Sequence, residues 1–174
     1  YRMFMKACPD NLFTNQKSGA VPIRTHREGH RNSTQGVRVR NNQPVIDREC
    51  VIPADIAIVS RTDAKGVITF VNDDFLAHAG YDKADLIGKP HNIVRHPDMP
   101  AEAFRDMWAM LQAGRAWTGL VKNRRKDGGY YWVKATATPT PDGGYMSVRV
   151  RPERAEIEAA EALYRAMREN PRMR

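Results

Sequence analysis

Three residues of one loop and a tryptophan that follows it have side chains suited to holding a ligand. Arg95, His96 and Asp98 lie in the loop, and Trp117 opens the next predicted strand. A guanidinium can form paired hydrogen bonds to a phosphate or stack on a ring. An indole can form an apolar wall, and a carboxylate accepts hydrogen bonds from a ring edge or a ribose. These residue types favour ligand binding.

Each of these side chains also has an ordinary structural explanation, and spacing alone does not decide between the two. Trp117 fits a core aromatic. Asp98 fits the N-cap of the helix that should begin near Pro100, a position worth about 1 kcal/mol. Arg95 fits an exposed arginine or one paired with a nearby carboxylate.

The histidines raise the question of a metal or a heme, because imidazole is the commonest metal ligand in proteins. The five histidines, which include His78, His91 and His96, have no close paired spacing. The two cysteines, Cys8 and Cys50, fit no metal-binding motif. The sequence therefore predicts no metal site, while a heme held by a single histidine stays open.

Catalytic motifs are missing from the sequence. It contains no GxSxG nucleophile elbow, no phosphate-binding P-loop and no HExxH zinc motif. We therefore expect a protein that is not an enzyme.

Charge is unevenly distributed along the 174 residues, whose formal net charge is +8. Residues 1–50 hold nine Lys and Arg against four Asp and Glu, whereas residues 51–174 hold 19 against 16. Most of the excess lies in a segment with no hydrophobic period, where basic residues alternate with Gly, Ser, Thr and Asn and no nucleic-acid-binding motif accompanies them, so we expect no nucleic-acid partner. No apolar run reaches the length of about 18 residues that a membrane span needs. So few cysteines favour a reducing cytoplasm.

The chain divides into a polar beginning and a patterned remainder. Residues 1–43 have no hydrophobic period, and we expect them to be disordered or non-native. Beyond them, strand patterns cover 56–60, 67–71, 117–123, 130–138 and 144–151. Short helices follow the second strand, a longer helix covers about 100–114, and a last helix covers 152–168. This order predicts an α+β fold, a five-stranded antiparallel sheet with helices over one face and a ligand space between them.

Four basic residues lie beside the predicted hairpin turn at 126–129. Basic side chains are mostly exposed in proteins, so we expect a solvated face there. They are Lys122, Arg124, Arg125 and Lys126.

Three stretches of the sequence are restrictive enough to indicate a family. Residues 88–100 read GKPHNIVRHPDMP, residues 117–126 read WTGLVKNRRK, and Tyr131-Trp132-Val133 follows. Together with the DAKGVITFVNDDF pattern of residues 63–75, they resemble the PAS domain of bacterial aerotaxis receptors and related chemoreceptors. The resemblance covers about residues 41–168.

The resemblance implies a sensory domain that holds FAD noncovalently and reports its redox state for aerotaxis. In that family the Arg-His-Pro-Asp motif and the tryptophan are tied to flavin binding, which points to Arg95, His96, Asp98 and Trp117. His91 and Asn92 are weaker candidates in the same segment. PAS pockets of other families hold heme, which is the alternative cofactor. Residues 91–99 contain no cysteine that could form a light-induced flavin adduct, so photochemistry is not expected.

The resemblance also implies an organisation and partners. It divides the chain into a PAS sensor domain at 44–151 and a C-terminal signalling helix at 152–174. A downstream signalling domain or a chemoreceptor is the expected partner, in the cytoplasm or at the inner membrane through a segment or partner outside this sequence. A stripe on the last helix could pair with a second copy in a homodimer, and a ligand-free dimerisation module is the alternative function. The stripe consists of Ile157, Ala160, Tyr164 and Met167.

Overall fold

The computed structural model describes residues 42–170, so the expectation for residues 1–43 falls almost wholly outside the described part of the chain. Five strands and four α-helices form within it. In chain order they are β1 (Ile58–Thr62), β2 (Ile68–Val71), α1 (Asp73–Ala79), α2 (Lys83–Leu86), α3 (Ala101–Gln112), β3 (Trp117–Arg124), β4 (Tyr130–Pro139), β5 (Tyr145–Val150) and α4 (Arg154–Glu169), with a 3-10 turn at His91–Val94 between α2 and α3.

The strands form one antiparallel sheet in the order β2-β1-β5-β4-β3. The two N-terminal strands therefore lie beside the three C-terminal strands, and β2 and β3 are the edges. The predicted α+β class and five-stranded sheet are confirmed, and the helices α1 to α3 lie between the two groups of strands in sequence.

The connection from β2 into α1 illustrates how local sequence builds this fold. The Asn72 side chain accepts hydrogen bonds from the backbone N–H of Phe75 (3.1 Å) and of Val59 (2.9 Å). It thereby caps α1 and ties the helix to β1. Gly80 ends α1 with a φ of 70°, which glycine adopts without a steric penalty.

The strand register separates two faces of the sheet, because successive side chains point to opposite sides. The inner face is covered by α1, α2, α3 and the loop before α3, through apolar residues such as Phe75, Leu86, Val94 and Met99. The outer face, along β3 and β4, is covered by α4. The main core therefore lies between the sheet and the three short helices.

The apolar stripe of α4 packs on the chain's own sheet. Ile157 and Ala160 are buried against Trp132, and the Tyr164 hydroxyl donates to the Leu120 carbonyl at 2.7 Å. The stripe proposed for pairing with a second copy is thus largely occupied within this chain, and a homodimer would need another surface.

Two of the four basic residues expected on a solvated face are buried. Lys122 is 8% exposed and Arg124 is 7% exposed, so the expectation was wrong for both. Arg124 donates from Nε to the carbonyl of Pro44 at 2.9 Å. Lys122 and Arg124 are buried by residues that lie far away in the sequence. A local charge pattern does not reveal such contacts.

Candidate functional site

A floor of small side chains crosses the middle of the inner face. Along one row, Ser60 pairs with Ser147, which pairs with Ala137; along the next, Ala135 pairs with Gly119. All five belong to the same face of the sheet, since register partners share a face. Side chains this small let a flat group approach the sheet backbone closely.

Arg149 on β5 lies in this floor, where it pairs with Ala135 and Ile58. It is only 5% exposed. Its Nη1 donates to Ser60 Oγ at 3.0 Å, and its Nη2 lies 2.9 Å from His91 Nε2. No carboxylate of residues 42–170 forms a salt bridge with it. Burial lowers the pKa of Arg149 to about 10, so the side chain stays cationic at neutral pH.

His91 completes this cluster from the 3-10 turn. Burial and the adjacent positive charge of Arg149 lower the pKa of His91 to about 3. The ring is therefore neutral at physiological pH, with Nε2 as acceptor for the Arg149 guanidinium. It meets Phe75 edge-on at a centroid distance of 5.9 Å. A cation, a neutral imidazole and a serine hydroxyl thus share one buried site, and no carboxylate in the described part of the chain forms an ion pair with that cation.

Three further polar atoms on this side of the sheet are buried without a well-formed hydrogen bond in the described structure: Arg95 Nε, Asn123 Nδ2 and Tyr131 Oη. Asn123 and Tyr131 are register partners, and a backbone bridge joins Arg95 to Asn123. Burial raises the pKa of Tyr131 to about 12, so its hydroxyl keeps its proton. Buried polar groups are normally satisfied. Arg95 Nε therefore has capacity for a ligand, whereas the Asn123 amide and the Tyr131 hydroxyl lie close enough to interact with each other.

Arg95 and Trp117 both lie on the inner side, as the ligand hypothesis requires. The Arg95 guanidinium stacks on the Phe104 ring at 4.0 Å and donates to the Met99 carbonyl at 3.2 Å. Burial lowers the pKa of Arg95. Trp117 is 7% exposed, and its Nε1 donates to Asp106 Oδ2 at 2.9 Å.

His96 and Asp98 lie around the edge of β3, toward the outer face. The His96 ring packs edge-on against Tyr130 at 5.8 Å, and its Nδ1 accepts from the Asp98 backbone N–H at 3.1 Å. Asp98 accepts from Lys122 Nζ at 2.7 Å, and Arg168 of α4 donates to the Asp98 carbonyl. These two residues therefore face the elements that contact α4.

The electrostatics of this second group differ from those of the inner face. Burial, and then the positive charge of Lys122, lower the pKa of His96 to about 4. Burial opposes ionisation of Asp98, but the hydrogen bond and charge of Lys122 outweigh it and lower the pKa of Asp98. The carboxylate is thus ionised and paired.

The structure divides the six candidate residues into two groups and leaves one aside. Arg95, His91 and Trp117 lie on the inner side, whereas His96 and Asp98 face outward. Asn92 is exposed, and its carbonyl accepts from the Asn42 side chain at 2.9 Å. Asp98 does not cap α3, since Pro100 occupies the N-cap without a side-chain hydrogen bond; that expectation was wrong.

Sequence reasoning missed four polar residues of the inner face: Ser60, Asn123, Tyr131 and Arg149. A signal existed for Arg149, because strand alternation places it on the same face as Ser147 and Tyr145. Within residues 42–170, no cluster of three or more His, Cys, Asp or Glu is placed to hold a metal ion. In the same range, no helix has both the length and the apolar character to cross a membrane.

Comparison with known proteins agrees with this architecture. The PAS fold family model matches residues 68–150. The aerotaxis receptor of Escherichia coli (strain K12) is 47% identical over 132 residues, which are 74% of this chain and 25% of that protein. The biofilm dispersion protein BdlA of Pseudomonas aeruginosa is 31% identical over 98 residues, 56% of this chain and 24% of that protein. The chain therefore spans about a quarter of the length of these relatives.

A solved structure supports the fold independently. The light state of the blue-light photoreceptor Aureochrome1 LOV has a TM-score of 0.52 and 18% identity, and the match covers 65% of this chain and 91% of that one. At this identity the likeness bears on the fold alone. The sheet order, the family match and the aerotaxis receptor's similarity agree: this chain carries a PAS domain of the aerotaxis-receptor type.

Proposed function

We propose that this domain binds FAD noncovalently between the inner face of the sheet and helices α1 to α3, and that it senses redox status. The observation that carries the proposal is Arg149, a buried cation with no carboxylate to neutralise it in the described structure. A buried charge without a counter-charge is costly. An electron-rich ligand edge beside Arg149 would offset that cost.

The other residues present fit a flavin as well. Its ring needs a flat place, which the small side chains of Ser60, Ala135 and Ala137 offer beside the Trp117 indole that lies over Gly119. Its carbonyl oxygens and ring nitrogens need partners, and the buried amide of Asn123 and hydroxyl of Tyr131, which form no well-formed hydrogen bond in the described structure, supply them.

Each inner residue then has a role in holding the cofactor. Trp117 forms a wall for the ring, and Arg95, with its free Nε, binds a phosphate or stacks. His91 stays neutral and orients Arg149. A bound flavin supplies the redox chemistry, because its ring takes up two electrons with one proton and then carries one more negative charge. Arg149 favours that charged form, since a positive charge near the ring tunes its electronics.

The output of the sensor would pass to α4 and onward to a signalling partner. The loop between the 3-10 turn and α3 links the two sides of the sheet: Arg95 lies inside, and Asp98, three residues on, contacts Arg168 of α4. A change in the ligand's charge near Arg95 and Arg149 can therefore reach α4 through this loop as well as through the sheet. We assign the domain to signal transduction for aerotaxis or chemotaxis rather than to catalysis.

The remaining assignments follow the aerotaxis receptor's similarity. This proposal includes the domain boundaries at 44–151 and 152–174 and a partner that is a receptor or a downstream signalling domain. It also includes a homodimer and a location in the cytoplasm or at the inner membrane. His96, Asp98 and Asn92 enter it as residues that support the motif loop or contact the parts of FAD that extend from the ring.

An absorbance spectrum of protein purified without added cofactor tests the proposal. A two-banded flavin spectrum that dithionite bleaches and air restores supports it, and chromatography of the released chromophore distinguishes FAD from FMN. A Soret band would favour heme. Colourless protein that takes up no added FAD would leave the dimerisation module and refute the proposal.

A further inference from the structure

The orientation of Trp117 depends on two contacts that lie outside the motif loop. The first is the hydrogen bond from Trp117 Nε1 to Asp106 Oδ2, at 2.9 Å. Asp106 belongs to α3 and Trp117 to β3, so this bond joins the helix to the sheet. Among residues 42–170 the Asp106 carboxylate forms no salt bridge that would compete with it.

The second contact is with Gly119, two residues along the same strand and on the same face. A Cβ at Gly119 would lie 2.4 Å from Cζ2 and 2.5 Å from Cη2 of Trp117. The indole therefore lies across the place that any other side chain would take. Glycine inside a strand weakens the strand and often marks a close approach, and here the approaching group is the Trp117 ring.

These contacts fix two different properties of the indole. Gly119 allows the ring to lie along the sheet, over the floor of small side chains. Asp106 sets its rotation, because an N–H in the ring plane can meet that carboxylate in only one orientation of the ring. An indole that stacks on a flat ligand needs both the right position and the right rotation, since stacking depends on the angle between the rings.

We propose that Asp106 and Gly119 are positioning residues that hold Trp117 as one wall of the cofactor site. The inference rests on the proposed function, because it assumes that Trp117 contacts the ligand. Neither residue touches the ligand in this scheme; each acts through the indole. Asp106 is thus a residue of α3 whose effect on affinity comes from hydrogen-bond acceptance rather than from its charge.

Three substitutions in the full chain separate these roles. Asp106→Asn keeps an acceptor oxygen and removes the charge, whereas Asp106→Leu removes both. Gln112→Leu on the same helix is the matched control, since Gln112 is exposed and the substitution introduces leucine away from the indole. Loss of one hydrogen bond corresponds to about a fivefold to tenfold change in an equilibrium constant. We expect Asp106→Leu to weaken FAD binding by that factor, and the other two variants to bind like the wild type.

A second readout follows the indole without any cofactor. In a ¹H–¹⁵N NMR spectrum of the flavin-free chain, the Trp117 Nε1–H signal is assigned by its disappearance in Trp117→Phe. It should shift upfield in Asp106→Leu while the Trp108 and Trp132 indole signals keep their positions. Gly119→Ala should displace the Trp117 signal as well and weaken FAD binding.

Each outcome decides the inference. Weaker FAD binding by Asp106→Leu, together with the shifted indole signal and recovery in Asp106→Asn, supports it. Wild-type affinity in Asp106→Leu despite a shifted indole, or equal losses in Asp106→Leu and Asp106→Asn, overturns it. A wild-type chain that takes up no FAD refutes the proposed function itself, and the inference with it.

Discussion

Replacing Arg149 by methionine should stabilise the flavin-free protein slightly and weaken FAD binding. The side chain is buried without a carboxylate partner in the described residues, and its pKa is lowered from 12.5 to about 10 chiefly by burial. Since one pKa unit corresponds to about 1.4 kcal/mol, burial of this cation costs the flavin-free state about 3 kcal/mol at neutral pH. Ser60 and His91 each lose a hydrogen-bond donor in the variant, at about 1 kcal/mol apiece.

The balance is a gain of about 1 kcal/mol in the free energy of unfolding of flavin-free Arg149→Met. The effect on the cofactor has the opposite sign. A hydrogen bond from a charged donor contributes about 1.5–3 kcal/mol, so the FAD dissociation constant should rise roughly tenfold to a hundredfold. Urea unfolding of the flavin-free protein and FAD titration measure the two quantities.

Arg151→Met is the matched control, because Arg151 is exposed just beyond the end of β5. It should leave both the unfolding free energy and the FAD affinity unchanged. The reasoning fails if flavin-free Arg149→Met is less stable than the wild type by about 2 kcal/mol or more while it binds FAD with wild-type affinity. Arg149 would then be a structural residue, and a bound ligand would not be the group that compensates its positive charge.

Three other variants test separate parts of the site. Trp117→Ala and Arg95→Ala should fold, as judged by circular dichroism, yet purify without flavin; a variant that keeps stoichiometric flavin removes its residue from the site. The low pKa of His96 means that the unfolded state binds a proton between about pH 6.5 and 4 while the folded state does not, so this residue makes the unfolding free energy fall with falling pH by about 1.4 kcal/mol per unit. His91, whose pKa is lowered to about 3, adds a similar slope. His96→Asn should therefore reduce the slope by about 1.4 kcal/mol per pH unit in urea unfolding at pH 7 and pH 5, and an unchanged slope would contradict the buried neutral ring. Asp98→Asn should lower stability by about 1–3 kcal/mol, because the buried Lys122 ammonium loses its counter-charge; flavin retained by the folded variant would show that Asp98 does not hold the cofactor.

The sequence alone determined the order of the elements and the family. Strand alternation, the Asn72 and Gly80 signals around α1 and the i, i+3, i+4 pattern of α3 are local features, and each produced an element within about two residues of its observed bounds. Phe104 and Leu111 on the α3 pattern do pack on the core side. Local periodicity suffices for these because hydrogen bonding and capping within a segment depend on that segment's own residues.

Tertiary structure decided which charged groups are buried and which side of the sheet each motif residue faces. The Arg-His-Pro-Asp motif is one continuous string of sequence, yet the edge of β3 divides it, with Arg95 inside and Asp98 paired to Lys122 outside. Strand alternation places Arg149 with Ser147, but only the packing of Phe75 and His91 over that face shows that it is buried. A period of two tells which residues share a face, whereas what covers that face comes from segments far away in the chain.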